Sequence, residues 1–226
     1  MRIVVTAGPT REYLDPVRFL SNPSTGKMGF AIAAEAAKRG HEVTLVAGPV
    51  ALKTPKGVKR VDVVSAREML AAVKGAIRTS GTGKTSRTVV IGTAAVADWR
   101  PAKCAAKKLK KGEMSGVLRL VRNPDILKTI ARLRRRAETS RPTLAGLKLV
   151  GFAAETDHVL DEAARKCREK GLSFIVANDV TKKGCGFGTD TNRVTFVFPD
   201  GRQRKFPLMT KRMVAKRILE EIENEE

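Results

Sequence analysis

Short β-branched runs alternate with helix-patterned stretches along almost the whole chain, and that alternation narrows the possible folds more than any other feature. "RIVVTA" (2–7) is an apolar run of strand length. A segment punctuated by Pro9, Pro16 and Pro23 follows and reads as a long irregular loop to about Ser24. Residues 25–39 are alanine-rich with helical periodicity, and Gly40 suits the left-handed position just past a helix. "HEVTLVA" (41–47) is strand-like again. Strand, helix, strand is the unit of a parallel sheet, because parallel neighbours need a long crossover rather than a tight turn.

The pattern continues. Strands are expected at 57–64, 87–92, 116–121, 148–154 and 173–179, and helices at 65–77, 123–136, 157–171 and 210–223. Ser65 with Glu68 three residues on is a capping box. "NPDI" reads as Asn123 capping a helix with Pro124 at its first position. Residues 190–208 read as a hairpin turning at Asp200-Gly201, with Val194, Phe196 and Phe198 on one face. Such a ribbon needs a cover; a second copy of the chain is the expected one, and the chain's own terminal helix is the alternative. The expected fold is a single α/β domain over 1–226. It has three layers, a mainly parallel central sheet and a C-terminal β-hairpin extension.

Two stretches break the alternation. "KCAAKKLKKGEMSG" (103–116) is lysine-rich without core periodicity and reads as a mobile flap. Residues 78–88 are a polar linker. Its "GTGKTS" is not a phosphate loop, since Arg78 stands where the first glycine is required and the segment precedes a strand.

Charge bears on partners. The net charge of +21 favours anionic ligands, from nucleotides to nucleic acid. Aromatics make up only 4% and none interleave with the run Arg132, Arg134, Arg135 and Arg136, so a stacking platform for single strands is not expected and that run reads as a solvated helix end. Three cysteines without zinc spacing, and an N-terminus that enters a strand directly, fit reduced thiols and a cytoplasmic setting. Two histidines rule out a histidine-rich metal site.

Several motifs carry candidate chemistry. In "STGKMG", Gly26 and Gly29 open a helix, where free N–H groups and the helix dipole favour an anion, and Lys27 adds charge. "TAAVADWRP" lies at the carboxyl end of an expected parallel strand, where open α/β sheets bind ligands; the small residues Gly92 to Ala95 let a ring approach the backbone, and Asp98 suits a ribose hydroxyl or a metal. Lys166 and Lys170 share one helix face. An NAD(P) oxidoreductase would need a fuller glycine fingerprint and an acid after the second strand, where the chain reads "VAGPV".

In order, "TAGPTREYLDPVRFLSNPSTGKMGFAIA", "AAVADWRP", "KLKK", "NPDI", "VGFAAET" and "IVANDV…GFGTDTNRVTF" make the chain resemble the phosphopantothenate–cysteine ligases (phosphopantothenoylcysteine synthetases) of coenzyme A synthesis. The resemblance covers nearly the whole chain and implies a Rossmann-like fold. It also implies an acyl-nucleotide intermediate, CTP in the bacterial branch, Mg²⁺, and a homodimer. Onto this sequence it places Asn22 at the acyl-nucleotide step and Lys108 as the flap lysine of activation, with Arg18 on phosphopantothenate. Gly92, Thr93, Ala94, Asp98, Asn123, Pro124, Asp125, Ile126, Phe152, Lys166 and Lys170 match nucleotide positions. Gly26 and Lys27 are expected to cradle a phosphate-bearing ligand, either the triphosphate or phosphopantothenate. The ligase-like pattern starts at the first residues, so no flavin is expected, and the partner decarboxylase is expected on a separate chain. Trp99 stands where the family more commonly has tyrosine, and Lys107 beside Lys108 leaves two registers for the flap.

Overall fold

The computed structural model describes residues 1–78, 87–113, 116–137, 146–155, 158–179, 181, 182, 184–186 and 188–224. Most of the 78–88 linker lies outside them. The elements run β1 (Arg2–Ala7), β2 (Arg11–Tyr13), β3 (Phe19–Ser21), α1 (Lys27–Lys38), β4 (Glu42–Ala47), β5 (Val58–Asp62) and α2 (Ala66–Arg78). Then come β6 (Thr88–Gly92), β7 (Trp99–Pro101), β8 (Leu120–Arg122), α3 (Ile126–Ala137), β9 (Lys148–Glu155), α4 (Val159–Lys170) and β10 (Phe174–Asp179). The chain ends with β11 (Thr191–Asn192), β12 (Val194–Val197), β13 (Gln203–Lys205), β14 (Met209–Thr210) and α5 (Lys211–Asn224).

Among the described residues one eight-stranded sheet has the order β13-β12-β10-β9-β6-β1-β4-β5. Six of its strands are parallel, and β12 and β13 extend one edge antiparallel. One face buries Ile3, Val5 and Leu45 of the sheet against Ile32 and Ala33 of α1 and Ile218 and Leu219 of α5. The other buries Val4, Val90 and Leu149 against Met69 of α2, Ile130 of α3 and Cys167 of α4. This is the expected three-layer α/β fold, and it follows from strands apolar on both faces between helices apolar on one.

Close approach at the sheet edge depends on Gly29. A Cβ there would lie 2.5 Å from both the Ala7 Cβ and the Thr93 Oγ1. Gly29→Ala is therefore expected to destabilise the fold by about 1–3 kcal/mol, as overpacking does, read as a lowered midpoint in denaturant titration. An unchanged midpoint would show that α1 can ride outward at no cost.

Four expectations need correcting. The segment after β1 is not an irregular loop: β2 and β3 pair antiparallel, Arg11 opposite Ser21 and Tyr13 opposite Phe19. Asn123 does not cap α3; Asp125 does, its Oδ1 accepting from the Lys128 N–H at 2.9 Å, while the Asn123 side chain donates to the Ala97 carbonyl at 2.8 Å. The arginine run is not wholly solvated, because Arg134 donates to the carbonyls of Leu147 (3.1 Å) and Gly171 (2.9 Å) and ties the end of α3 to its neighbours. Finally, the apolar face of the 190–208 ribbon needs no second copy. Val194, Phe196 and Phe198 are buried in the same cluster as Val214, Ile218 and Ile222 of the chain's own α5.

Candidate functional site

The strand order read from β5 through β4, β1, β6 and β9 to β10 reverses its winding between β1 and β6. The helix after β1 covers one face and the helices after β6 and β9 cover the other. At such a switch point the loops leave in opposite directions and open a crevice at the carboxyl ends of the strands. A cavity of about 370 Å³ lies there, lined by Thr6 of β1, Gly92 of β6, Phe152 to Ala154 of β9 and Asn178 of β10.

Most of the residues singled out in the sequence converge on it. Thr93, Ala94 and Asp98 line it from the loop after β6. Register holds that loop: Thr93 Oγ1 donates to the Thr6 carbonyl at 2.6 Å, and the Ala94 N–H donates to Thr6 Oγ1 at 3.3 Å. Gly92 is glycine because a Cβ would sit 2.8 Å from Leu127 at the start of α3. Asn123, Pro124, Asp125 and Ile126 form a second wall, tied to the first by the Asn123 N–H donating to the Asp98 carbonyl at 2.8 Å. Phe152, Lys166 and Lys170 close the far side, and Lys170 Nζ pairs with Asp125 at 2.8 Å.

Gly26 and Lys27 also line the cavity. Gly26 stands before α1 with φ +77° and no side chain caps that helix, so its first N–H groups are directed at the cavity mouth rather than consumed by a cap. Lys27 Nζ donates to the Gly188 carbonyl (2.9 Å) and pairs with Asp190 (2.7 Å). That pairing holds the Asp190 carboxyl below its ordinary range.

Arg18, Asn22 and Lys108 are not cavity-lining residues. Asn22 Nδ2 donates to the carbonyl of Ala95, a lining residue, at 3.1 Å. Asp15 organises the rest. This fully buried carboxylate accepts from the N–H groups of Val17 (2.9 Å) and Arg18 (2.8 Å), the Arg18 guanidinium (3.0 Å to Nε) and the Leu109 N–H (3.2 Å). The Arg18 guanidinium foremost, with those backbone donors, holds its carboxyl far below the usual carboxylate range against the cost of burial. Arg18 Nη2 also donates to the Leu109 carbonyl at 2.7 Å. The flap is thus pinned at Leu109, immediately after Lys108, whose own side chain is exposed. Arg18 is committed to this clamp as well as being a candidate for ligand contact.

Three lining residues escaped the sequence reading. Lys211 begins α5, is 7% exposed, and donates to the Thr189 and Gly186 carbonyls. Burial, with the nearby charge of Lys27, lowers its pKa, while Asp190 opposes that shift. Asn178 and Asn192 complete that end of the cavity. Asn178 and Asn192 lie within the "IVANDV…GFGTDTNRVTF" motif without having been singled out there, and only the pairing of β11 with β14 brings Asn192 and Lys211 together.

Known proteins resemble this chain along nearly its whole length. A family model described as the DNA/pantothenate metabolism flavoprotein C-terminal domain matches residues 1–225. The coenzyme A biosynthesis bifunctional protein CoaBC of Escherichia coli (strain K12) is 46% identical over 225 residues, 98% of this chain and 51% of that protein. That of Bacillus subtilis (strain 168) is 45% identical over 221 residues, 97% of this chain and 50% of that protein. The chain therefore spans about half the length of these relatives. A crystal structure of the C-terminal domain of CoaBC superposes with a TM-score of 0.76 at 43% identity, covering 98% of this chain and 93% of that one. A Cab2 mutant in complex with phosphopantothenate-cysteine superposes with a TM-score of 0.74 over 99% of this chain and 87% of that one; at 16% identity it shares the fold alone. With the family model spanning all but the last residue and relatives agreeing along the same length, the chain belongs to the DNA/pantothenate metabolism flavoprotein C-terminal domain family.

Proposed function

We propose that the chain is a ligase of coenzyme A synthesis that joins 4′-phosphopantothenate to L-cysteine at the expense of CTP through an acyl-nucleotide. One observation carries the reading. A nucleotide-sized cavity at the switch point gathers the loops after β6 and β8 with Phe152 of β9, and Asn22 is bonded to Ala95 of its lining. The relatives named for coenzyme A biosynthesis support it.

In the first step a carboxylate oxygen of phosphopantothenate attacks the α-phosphorus. The bond to the β-phosphate breaks and pyrophosphate leaves. In the second, the amine nitrogen of cysteine attacks the acyl carbon, the bond to the phosphate oxygen breaks, and the nucleoside monophosphate leaves with the electron pair while the amine gives up its proton. Bringing a carboxylate to a polyanion requires cations. Lys108 from the flap serves the activation, and Lys166 and Lys170 stand on the cavity wall. Asp98 is placed to meet the ribose hydroxyls. Asn22 offers an amide N–H to the acyl oxygen without removing a proton. Gly26 and Lys27 cradle a phosphate at the start of α1.

Among the described residues no group of three or more His, Cys, Asp or Glu could hold a resident metal. Mg²⁺ belongs to this reading with the triphosphate, whose phosphates it would screen. A homodimer also belongs to it, with the interface elsewhere than the covered face of the β12–β13 ribbon. An NAD(P) site is disfavoured, since β4 ends at Ala47 and Gly48, Pro49 and Val50 supply no acid for a ribose.

The test is incubation with 4′-phosphopantothenate, cysteine, Mg²⁺ and either CTP or ATP. The expected result is pyrophosphate and amide product with CTP. Clear preference for ATP would overturn the nucleotide assignment alone, and no pyrophosphate with any triphosphate would overturn the reaction.

A further inference from the structure

Among the described residues four buried side-chain polar atoms lack a hydrogen-bond partner: Arg2 Nε, Arg134 Nε, Asn178 Oδ1 and Asn192 Oδ1. The two asparagines both line the cavity, at 8% and 4% exposure. Asn178 is oriented by its own amide, since Nδ2 donates to the Cys185 carbonyl at 2.9 Å and leaves Oδ1 on the opposite side. Asn192 sits on β11, held by the pairing with Met209. The loop between them is fastened by Thr191 Oγ1 donating to the Gly184 carbonyl at 2.8 Å. Two rigidly placed, buried acceptors without donors are costly in a folded protein and call for a partner.

The same end of the cavity carries positive charge. Lys211 is held there by the Thr189 and Gly186 carbonyls. Lys27 reaches in from the start of α1 and is balanced on the outside by Asp190. Acceptors beside cations match a ligand that carries an N–H donor and an anionic group a few bonds apart. A phosphate satisfies the lysines but offers the asparagine oxygens nothing. An α-amino acid satisfies both.

We propose that Asn178 Oδ1 and Asn192 Oδ1 receive the α-amine of the incoming amino acid, with the Lys211 charge facing its carboxylate. This rests on the ligase reading and supplies what that reading lacks, a place for the nucleophile. That reading already places the nucleotide on the loops after β6 and β8 and phosphopantothenate on Arg18. Binding the amine through carbonyl oxygens, which cannot take its proton, orients the nitrogen without fixing which base removes the proton.

Asn192→Leu keeps the volume and deletes the orphan acceptor. The Michaelis constant for cysteine is expected to rise about 10- to 100-fold, the worth of a hydrogen bond to a charged group. Those for CTP and phosphopantothenate should move less than about threefold, and the melting temperature of the ligand-free protein should rise, because an unpaired buried acceptor has gone. A purely structural asparagine would instead give a lower melting temperature with all three constants shifted together. Asn178→Leu, which also loses the bond to Cys185, should show the same selectivity for cysteine. Cysteamine, which lacks the carboxylate, should be a poorer substrate for the parent protein, and Lys211→Met should erase that preference. An unchanged cysteine constant in both asparagine variants, or a shift confined to CTP or phosphopantothenate, would overturn the proposal. Saturation-transfer NMR with cysteine alone separates the two claims. Binding lost in Asn192→Leu by a parent that forms no amide would uphold the subsite and sink the ligase. Ligation by a parent whose variants keep their cysteine constant would do the reverse.

Discussion

Lys108→Gln is expected to give a folded protein that releases no pyrophosphate above background from CTP and phosphopantothenate. Lys108 is exposed, and a surface change of that kind moves stability by no more than about 0.5 kcal/mol. Its effect on rate is of another order. The proposed first step concentrates negative charge between a carboxylate and a triphosphate. A single well-placed donor to such charge contributes on the order of 100- to 1,000-fold, and a full cation at least as much. Glutamine keeps the length and polarity and removes only the charge. The measurement is pyrophosphate release without cysteine, with Lys107→Gln alongside. Loss in Lys107→Gln and not in Lys108→Gln would move the working lysine by one position. Normal release in both would remove the flap from the chemistry.

Asn22→Asp is expected to leave pyrophosphate release measurable and to slow amide formation by about 100-fold or more. Two effects act in the same direction. The substitution puts a negative charge where an acyl oxygen must be held. It also replaces the Nδ2 donor to the Ala95 carbonyl, 3.1 Å away, by an oxygen that repels it. The loop after β6 should then loosen at Ala95, next to residues that line the cavity. Quenched-flow separation of acyl-nucleotide from amide product reads the two steps apart. Near-normal turnover would take Asn22 out of the mechanism.

Much of this architecture was legible from periodicity. The parallel strands are apolar on both faces and the helices on one, so their order alone gave three layers, and the ligand edge followed from the loop after β6 leaving the carboxyl end of a parallel strand. The short pairings were not legible. Strands β2 and β3 are three residues each, interrupted by Asp15 and Pro16, and no local pattern distinguishes such a hairpin from a loop. At "NPDI" two cap-forming residues stand two apart, and only the tertiary bond from Asn123 to Ala97 decides that Asp125 caps. The ribbon's apolar face and the stripe on α5 were each visible, but amphipathic patterns do not state which partner they meet. Asn178 and Asn192 lie in a motif that the resemblance quotes, but nothing in it says that their side chains meet Lys211 at one cavity, since the three belong to separate strand ends and a helix start.

The clamp at Leu109 bears on how far the flap can travel. Leu109 is held through its N–H by Asp15 and through its carbonyl by Arg18, and Ala105 is tied to the Leu14 carbonyl at 2.8 Å. The chain between β7 and β8 is therefore two tethers rather than one. Lys108 moves on the short one, a residue away from a fixed point, so little conformational freedom remains to be surrendered when it swings onto a ligand. Length changes should be tolerated unequally. Residues inserted after Lys110 lengthen a segment that ends at β8 and leave the lysine's reach intact, whereas one residue inserted between Ala105 and Lys108 displaces the charge by a chain step of about 3.8 Å. The carboxylate that sets this reach lies on the hairpin that leads into Asn22, so the groups proposed for activation and transfer share one mechanical mount.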